Sequence, residues 1–417
     1  MALQKWGLLA SLCIMVSSVF LYIYNHGLFE ESLESKLWKG FDTRLRIHEA
    51  ECLMHGVDPF DVWNGTVKIE GYVPFQGNGP QELFDSYRKN TRIVHVYPPW
   101  SYTLILPLLL VPELAQYAVF IGLEVLVLVA LTLACLTRPR YRNFPFPVGV
   151  LAVSVASLAF PVNIVECLHF GNYGILIAGA VSLALWCHNI RKDCLAGVFW
   201  ALAMVKPQIG LLFYVALLAL GRWRTLVSSS VVLLLLTIPP SLMCGHSPVD
   251  MVLGIFSYTT YDYFPFVGFL TKEMVALSTS CGLRWLPLTL SLVVGAGSCF
   301  FLTRLFACSR DAFVVFIPAT LISTVWAVGG WAHDHSLDVV AFASLVFLMA
   351  DFRSPIVWGL ASVVVLSAAN RLCGITPWPI PNVAVVLMIC ALFGLGYAMR
   401  RKQDGHAHYD SENGSLL

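Results

Sequence analysis

The sequence predicts an all-α integral membrane protein, a polytopic bundle of about twelve transmembrane helices with a large first extracytoplasmic loop. Three observations carry that prediction. Apolar residues make up 58% of the 417, charged residues only 12%, and mean hydropathy is +0.73, whereas a soluble domain carries about 25% charged residues. Apolar stretches approaching the ~20 residues that cross a hydrocarbon core recur along nearly the whole chain. Runs such as Val231 to Leu236 are apolar on every face, which excludes the period-2 alternation of a closed β-barrel.

Taken in chain order, Lys5 precedes an apolar run from Trp6 to Tyr24. The residues that follow, Asn25-His26-Gly27-Leu28, lack a small-x-small cleavage site, so residues 1–24 are expected to be an uncleaved anchor. Residues 25–98 form the first extracytoplasmic loop and hold roughly a third of all charged side chains. Within it Leu28, Phe29, Leu33, Leu37, Trp38 and Phe41 have helical spacing, as in a helix lying in the membrane interface or packed on the protein's own surface. Residues 99–240 carry apolar runs at 101–112, 115–136, 146–162, 172–188, 194–206, 208–221 and 225–240. The first of these is too short to cross and ends in Val111-Pro112, which predicts a re-entrant segment or half of a broken helix. Residues 241–285 form a second extracytoplasmic loop, 286–399 the C-terminal spans, with runs at 286–303, 312–328, 336–350, 355–369 and 381–399, and 400–417 a cytoplasmic tail.

Orientation follows from arginine and lysine in short loops. The clusters are Arg138, Arg140 and Arg142; Arg191 and Lys192; Arg222 and Arg224; Arg304 and Arg310; Arg353; and Arg400, Arg401 and Lys402. If 101–112 does not cross, all of them share a side with Lys5. Both termini are then cytoplasmic, in the plasma membrane, and both large loops lie outside.

Several classes of function drop out. A net charge of +1 and the absence of a basic tract with interleaved aromatics exclude a nucleic-acid partner. The twelve cysteines contain no C-x-x-C pair; Cys13, Cys135, Cys299 and Cys390 lie in apolar runs as small hydrophobes, while Cys52, Cys244, Cys281 and Cys373 fall in the external loops, where a disulfide is allowed but not required. No G-x-x-x-x-G-K-[ST], dinucleotide fingerprint, H-E-x-x-H or G-x-S-x-G is present, which argues against a nucleotide-driven reaction or a cofactor.

With this topology the suggestive polar residues fall on the outer side. Lys206 stands between two apolar runs, where an unpaired ammonium costs at least ~2.5 kcal/mol. Pro207 breaks the helix beside it, so the pair makes a phosphate-binding corner, or else a tight hairpin whose lysine snorkels to water. Asp42 is expected at the N-cap of a helix carrying Arg46 and Glu49 on one face. Capping alone would explain Asp42; its place just after the first span, on the side of Lys206, His333 and Arg371, also suits a general base toward a hydroxyl. His333-Asp334-His335 follows Gly329-Gly330 at the mouth of the 336–350 span. It offers two histidines to a divalent metal, but the i, i+2 spacing without a further cluster is a poor ligand set, and hydrogen bonding to a phosphate is preferred over metal binding or simple capping. The string from Tyr258 to Phe266, with Tyr261 and Asp262, suits either sugar rings or an interfacial aromatic belt. Asn64-Gly65-Thr66 is an external glycosylation sequon.

Together these motifs resemble the integral membrane glycosyltransferases of family 87. Asp42 is followed by His48, Ala50, Leu53 and Gly56-Val57-Asp58-Pro59-Phe60, similar to the family's aspartate, short helix, glycine and Pro-aromatic pair. Tyr97-Pro98-Pro99-Trp100, Phe170-Gly171-Asn172, Lys206-Pro207-Gln208 and Trp331-Ala332-His333-Asp334 resemble its Tyr-Pro-Pro, Gly-Gln/Asn, Lys-Pro and Trp-x-His segments, with Asp334 where a second histidine is frequent. The resemblance implies a GT-C-like architecture and a polyprenyl-phosphate sugar donor, with hexosyl and specifically mannosyl transfer to a lipid or glycan acceptor among membrane lipids. Asp42 would then be the inverting base, Lys206, His333 and Arg371 the donor-phosphate ligands, and Arg46, Tyr97, Asn172, Gln208, Tyr261 and Asp334 the substrate contacts. The rival classes are a multi-pass transporter or lipid flippase, suggested by the breaks at Pro112 and Pro207, and a non-catalytic scaffold.

Overall fold

The computed structural model describes residues 40–74, 92–94, 97–136, 167–168, 171–258, 286–326, 388–401 and scattered positions between 340 and 360. The expectations for the anchor, the aromatic string beyond Tyr258, His333-Asp334-His335 and Arg371 fall outside those residues.

The first described helix, α1 (Phe41–Met54), begins after Gly40, whose φ of +68° is left-handed. This corrects the expected cap: Asp42 sits inside the first turn, and Gly40 occupies the N-cap. Glycine is required there because a Cβ would come 2.6 Å from the Tyr117 ring as well as forcing a strained φ. Asp58 accepts a 2.9 Å bond from the Phe60 amide and caps α2 (Pro59–Asn64). The all-α expectation also needs one amendment, since β1 (Tyr72–Pro74) pairs in parallel with β2 (Arg92–Val94), Tyr72 opposite Arg92. Glu51 pins this pair by accepting from the Tyr72 hydroxyl at 2.9 Å and facing Arg92 Nε at 3.3 Å.

Next come α3 (Pro99–Ile105) and a 3-10 turn, Leu106–Leu110, which stops at extended Val111 before Pro112. At about 1.5 Å per helical residue these segments are much shorter than a bilayer core. The long α4 (Glu113–Leu136) follows.

Four helices then run back and forth: α5 (Gly174–Asn189), α6 (Asp193–Ala203), α7 (Pro207–Ala219) and α8 (Trp223–Cys244). The connections between them are a few residues long, which makes consecutive helices antiparallel neighbours. One end of this layer therefore carries Asn172 and Lys206, and the other the turns at Arg191-Lys192 and Gly221-Arg222. Packing pairs α6 with α8, α5 with α6, and α4 with α5, while α3 lies against α8. Further on, α9 (Pro248–Tyr258) leads away from α8, and α10 (Leu286–Phe306) and α12 (Ile317–Trp326) close on α7, with the short α11 (Ala312–Val315) between them. The centre of the layer is aromatic: the Trp200 ring stacks on Phe213 at 4.7 Å and on Phe316 at 5.4 Å.

Among the described residues α8 is the one helix long and apolar enough to cross a membrane. Its polarity is inverted relative to a helix in water. Val227, Leu234, Leu235 and Leu242 point outward, exposed, whereas Ser229, Thr237 and Ser241 are buried. Such a distribution suits an apolar outer solvent, with small hydroxyl residues at the helix contacts. Pro240 cannot donate to the carbonyl of Leu236, and Thr103 Oγ1 from α3 does so instead at 2.5 Å.

Candidate active site

Three chain segments meet at one end of the bundle. The start of α1 is pressed against α4 and the turn before α5 by two glycines, Gly40 and Gly171. At Gly171 φ is +63° and a Cβ would lie 2.0 Å from Thr43 Oγ1. In its absence the Thr43 hydroxyl donates to the Gly171 carbonyl at 2.9 Å. Tyr117 on α4 secures the other side of the turn, donating to the Leu168 carbonyl at 2.7 Å. These contacts bring Asp42 beside Asn172, across 130 positions of sequence.

Asn172 is the hub. Its Nδ2 donates to Asp42 Oδ2. Its Oδ1 accepts from Lys206 Nζ at 2.8 Å and from the Gly174 amide at 3.0 Å. A lysine ammonium can only donate and an aspartate can only accept, so the amide has one satisfactory orientation. One side chain thus holds an acid and a cation in a fixed relation.

Lys206 itself is 2% exposed and does not snorkel to water. It occupies the N-cap of α7 with extended backbone, and Pro207 takes the first helical position, where its missing N–H is harmless. Trp100 Nε1 donates to the Met204 carbonyl at 2.7 Å, tying α3 to the turn that presents the lysine.

Arg46 and Tyr97 also converge here. The guanidinium of Arg46 stacks 3.6 Å over the Tyr97 ring and pairs with Glu49 at 3.0 Å, one turn along α1. Burial weakens the charge of this arginine, but Glu49, Tyr97 and Asp42 outweigh that effect and hold its pKa above the usual value. Tyr97 packs on Tyr173 at 5.8 Å, and Phe120 of α4 meets Tyr173 edge-on at 5.6 Å.

Of the ten residues singled out from the sequence, then, Asp42, Arg46, Tyr97, Asn172 and Lys206 lie together. Gln208 follows Lys206 in α7, its side chain outside the description, and Tyr261, His333, Asp334 and Arg371 are outside it altogether. Two groups escaped the sequence reading: Tyr173 and Glu124, both buried. Glu124 has a visible signal as a lone acid inside the 115–136 apolar run, where an ionisable group is a site candidate by default. Cys52 and Cys244 are free thiols, and burial followed by Glu49 and Glu51 pushes the Cys52 pKa up to about 12. Among the described residues no group of three or more His, Cys, Asp or Glu side chains is placed to hold a metal ion.

The arrangement suits a transfer reaction in which a hydroxyl loses a proton while an anion departs: an acid and a cation bridged by a single amide, beside an arginine, two tyrosines and a buried carboxyl group. Residues 95–328 match glycosyltransferase family 87, a segment that includes Tyr97, Glu124, Asn172, Lys206, Gln208 and Tyr261 and leaves Asp42, Arg46, His333, Asp334 and Arg371 outside. No curated protein and no solved structure matches the chain. The matched segment is more than half of the 417 residues, and the chain belongs to glycosyltransferase family 87.

Proposed function

We propose that this glycosyltransferase moves a hexose, specifically mannose, from a polyprenyl-phosphate donor to a lipid or envelope-glycan acceptor on the extracytoplasmic face of the plasma membrane. The observation that carries the reading is the Asp42–Asn172–Lys206 bridge. The Asp42 carboxylate takes the proton of the acceptor hydroxyl, whose oxygen attacks the anomeric carbon from the face opposite the phosphate. The anomeric C–O bond breaks, its electron pair leaves with the polyprenyl phosphate, and Lys206 meets the charge that grows there. The anomeric configuration inverts, and the proton remains on Asp42 until it exchanges with water. His333 and Arg371 add to the phosphate site in this scheme, and Arg46, Tyr97, Gln208, Tyr261 and Asp334 to substrate binding.

A lipid phosphate leaving group stays in the bilayer, which accords with the absence of any nucleotide motif and with the outward apolar face of α8. About twelve spans, both termini cytoplasmic and a GT-C arrangement complete the proposal. Support for the sidedness comes from the gathering of basic turns at the end opposite Asp42. Arg222 lies 3.6 Å from Asp193, beside Arg191-Lys192, and Arg304 donates to the Ala219 carbonyl at 3.1 Å.

The test is product formation by the purified protein from a panel of polyprenyl-phosphate hexoses, with the stereochemistry of the product determined. Mannosyl transfer with inversion is expected. Product with a retained configuration, or lipid translocation without a glycosidic product, would refute the scheme.

A further inference from the structure

Glu124 lies midway along α4, fully buried, and neither of its carboxyl oxygens has a hydrogen-bond partner among the described residues. A buried carboxyl group left in that state costs stability, about 1–3 kcal/mol. Its charged neighbours are Lys206 and Asp42, the two ends of the bridge through Asn172. A second buried group in the same condition is the Tyr173 hydroxyl, on the residue next to Asn172. The two are linked through α4: Phe120, which meets the Tyr173 ring, stands one turn before Glu124 on the same helix face. Two hydrogen-bonding groups of different helices thus border one acid–cation pair, and neither has a hydrogen-bond partner among the described residues.

Their chemistry specifies a ligand. A carboxyl oxygen accepts from hydroxyls, and a phenol both donates and accepts. A sugar ring carries several hydroxyls, and with its phosphate at Lys206 the ring can extend along α4. We propose that Glu124 and Tyr173 form the hydroxyl-reading wall of the sugar site, Glu124 accepting from a hydroxyl of the transferred hexose and thereby setting donor selectivity. This inference rests on the glycosyl-transfer reading above. It is consistent with a general pattern in which a polar pocket built for a hydroxyl strongly rejects the analogue lacking it, because its own groups are then left unsatisfied.

The experiment uses the full chain, purified in lipid nanodiscs, as wild type, Glu124→Leu, Glu124→Gln and Tyr173→Phe. Each is assayed with the preferred polyprenyl-phosphate hexose and with its monodeoxy analogues, and its Tm is recorded. Wild type is expected to disfavour one monodeoxy donor by at least ~10-fold in kcat/KM. Glu124→Leu is expected to lose that discrimination, treating parent and deoxy donor alike, while its Tm rises by ~2–4 °C because an unsatisfied carboxyl has been removed. Glu124→Gln guards against a folding artefact: it keeps the shape and is expected to retain part of the discrimination. Tyr173→Phe is expected to weaken discrimination at a different hydroxyl. If wild type is active and the Glu124 variants keep its full selectivity, or if Glu124→Leu lowers Tm with selectivity intact, the assignment of Glu124 is overturned and the transfer reading survives. If wild type transfers from no polyprenyl-phosphate sugar, the functional reading falls and takes this assignment with it.

Discussion

The two ends of α5 are both polar and have opposite characters. At the far end the side chains of His188, Asn189, Asp193 and Asp311 all find partners within the fold. His188 accepts from Trp200 Nε1 at 3.1 Å and meets Asp193 at 3.2 Å, and Asp193 lies 3.6 Å from Arg222. Asn189 donates to Asp311 at 3.2 Å and accepts from the Ala312 amide at 2.7 Å, while Asp311 caps α11 through the Phe313 amide. At the near end Asn172 also joins separate segments, but Glu124 and the Tyr173 hydroxyl remain without partners among the described residues. A closed network fastens helices together. In the proposal above, the open one, kept at a cost in stability, is the place where a ligand completes the hydrogen bonding.

The largest effect that would sharpen this contrast is expected from Asp42→Asn at the near end. Removal of the proposed base should lower kcat by ~10²–10⁴-fold with the protein still monodisperse and its Tm nearly unchanged. Wild-type turnover in that variant would remove Asp42 from the chemistry. Lys206→Met should follow, with a ~10²–10³-fold loss shared by kcat and kcat/KM, since in the proposed mechanism the cation acts on charge that develops at the departing phosphate. A rise in KM alone would instead make Lys206 a ground-state contact. Asn172→Leu is expected to cost at least ~10-fold in kcat/KM and to lower Tm, because it removes the group that holds acid and cation together; thermal unfolding and steady-state kinetics on the same sample check both. At the far end Asn189→Ala should destabilise by ~1–3 kcal/mol and leave kcat of the folded protein unchanged. Loss of kcat there, with stability intact, would break the division between a structural end and a chemical end.

Much of the near end is legible in the amino-acid sequence. The lysine at a proline break, the acid after the first apolar run, and the short Tyr-Pro-Pro and Gly-Asn segments each announce a local backbone event, and backbone events are written in neighbouring residues. Helix positions follow the apolar runs closely: the expected 225–240 span lies inside α8, and the 172–188 and 208–221 runs overlap α5 and α7. The cap of α1 departs from expectation because Asp is a strong N-cap residue, whereas the decisive constraint is the Tyr117 ring against Gly40, a contact from 77 positions away. The β1–β2 pair is hidden for a related reason. Three-residue strands carry too little periodicity to be read, and their parallel register depends on Glu51 and Arg92 meeting across the loop.

By itself the sequence determined the solvent, the helical class and the residue types available for chemistry, because hydropathy and helix breaking act over one or two turns of chain. Only the tertiary structure decided which of those residues share a site. Asp42 reaches Asn172, and Asn172 reaches Lys206, through two glycine-dependent close approaches and an antiparallel layer whose packing no local pattern encodes. The same packing leaves Glu124 buried beside them with no hydrogen-bond partner among the described residues, a condition that exists only once the helices have closed around it.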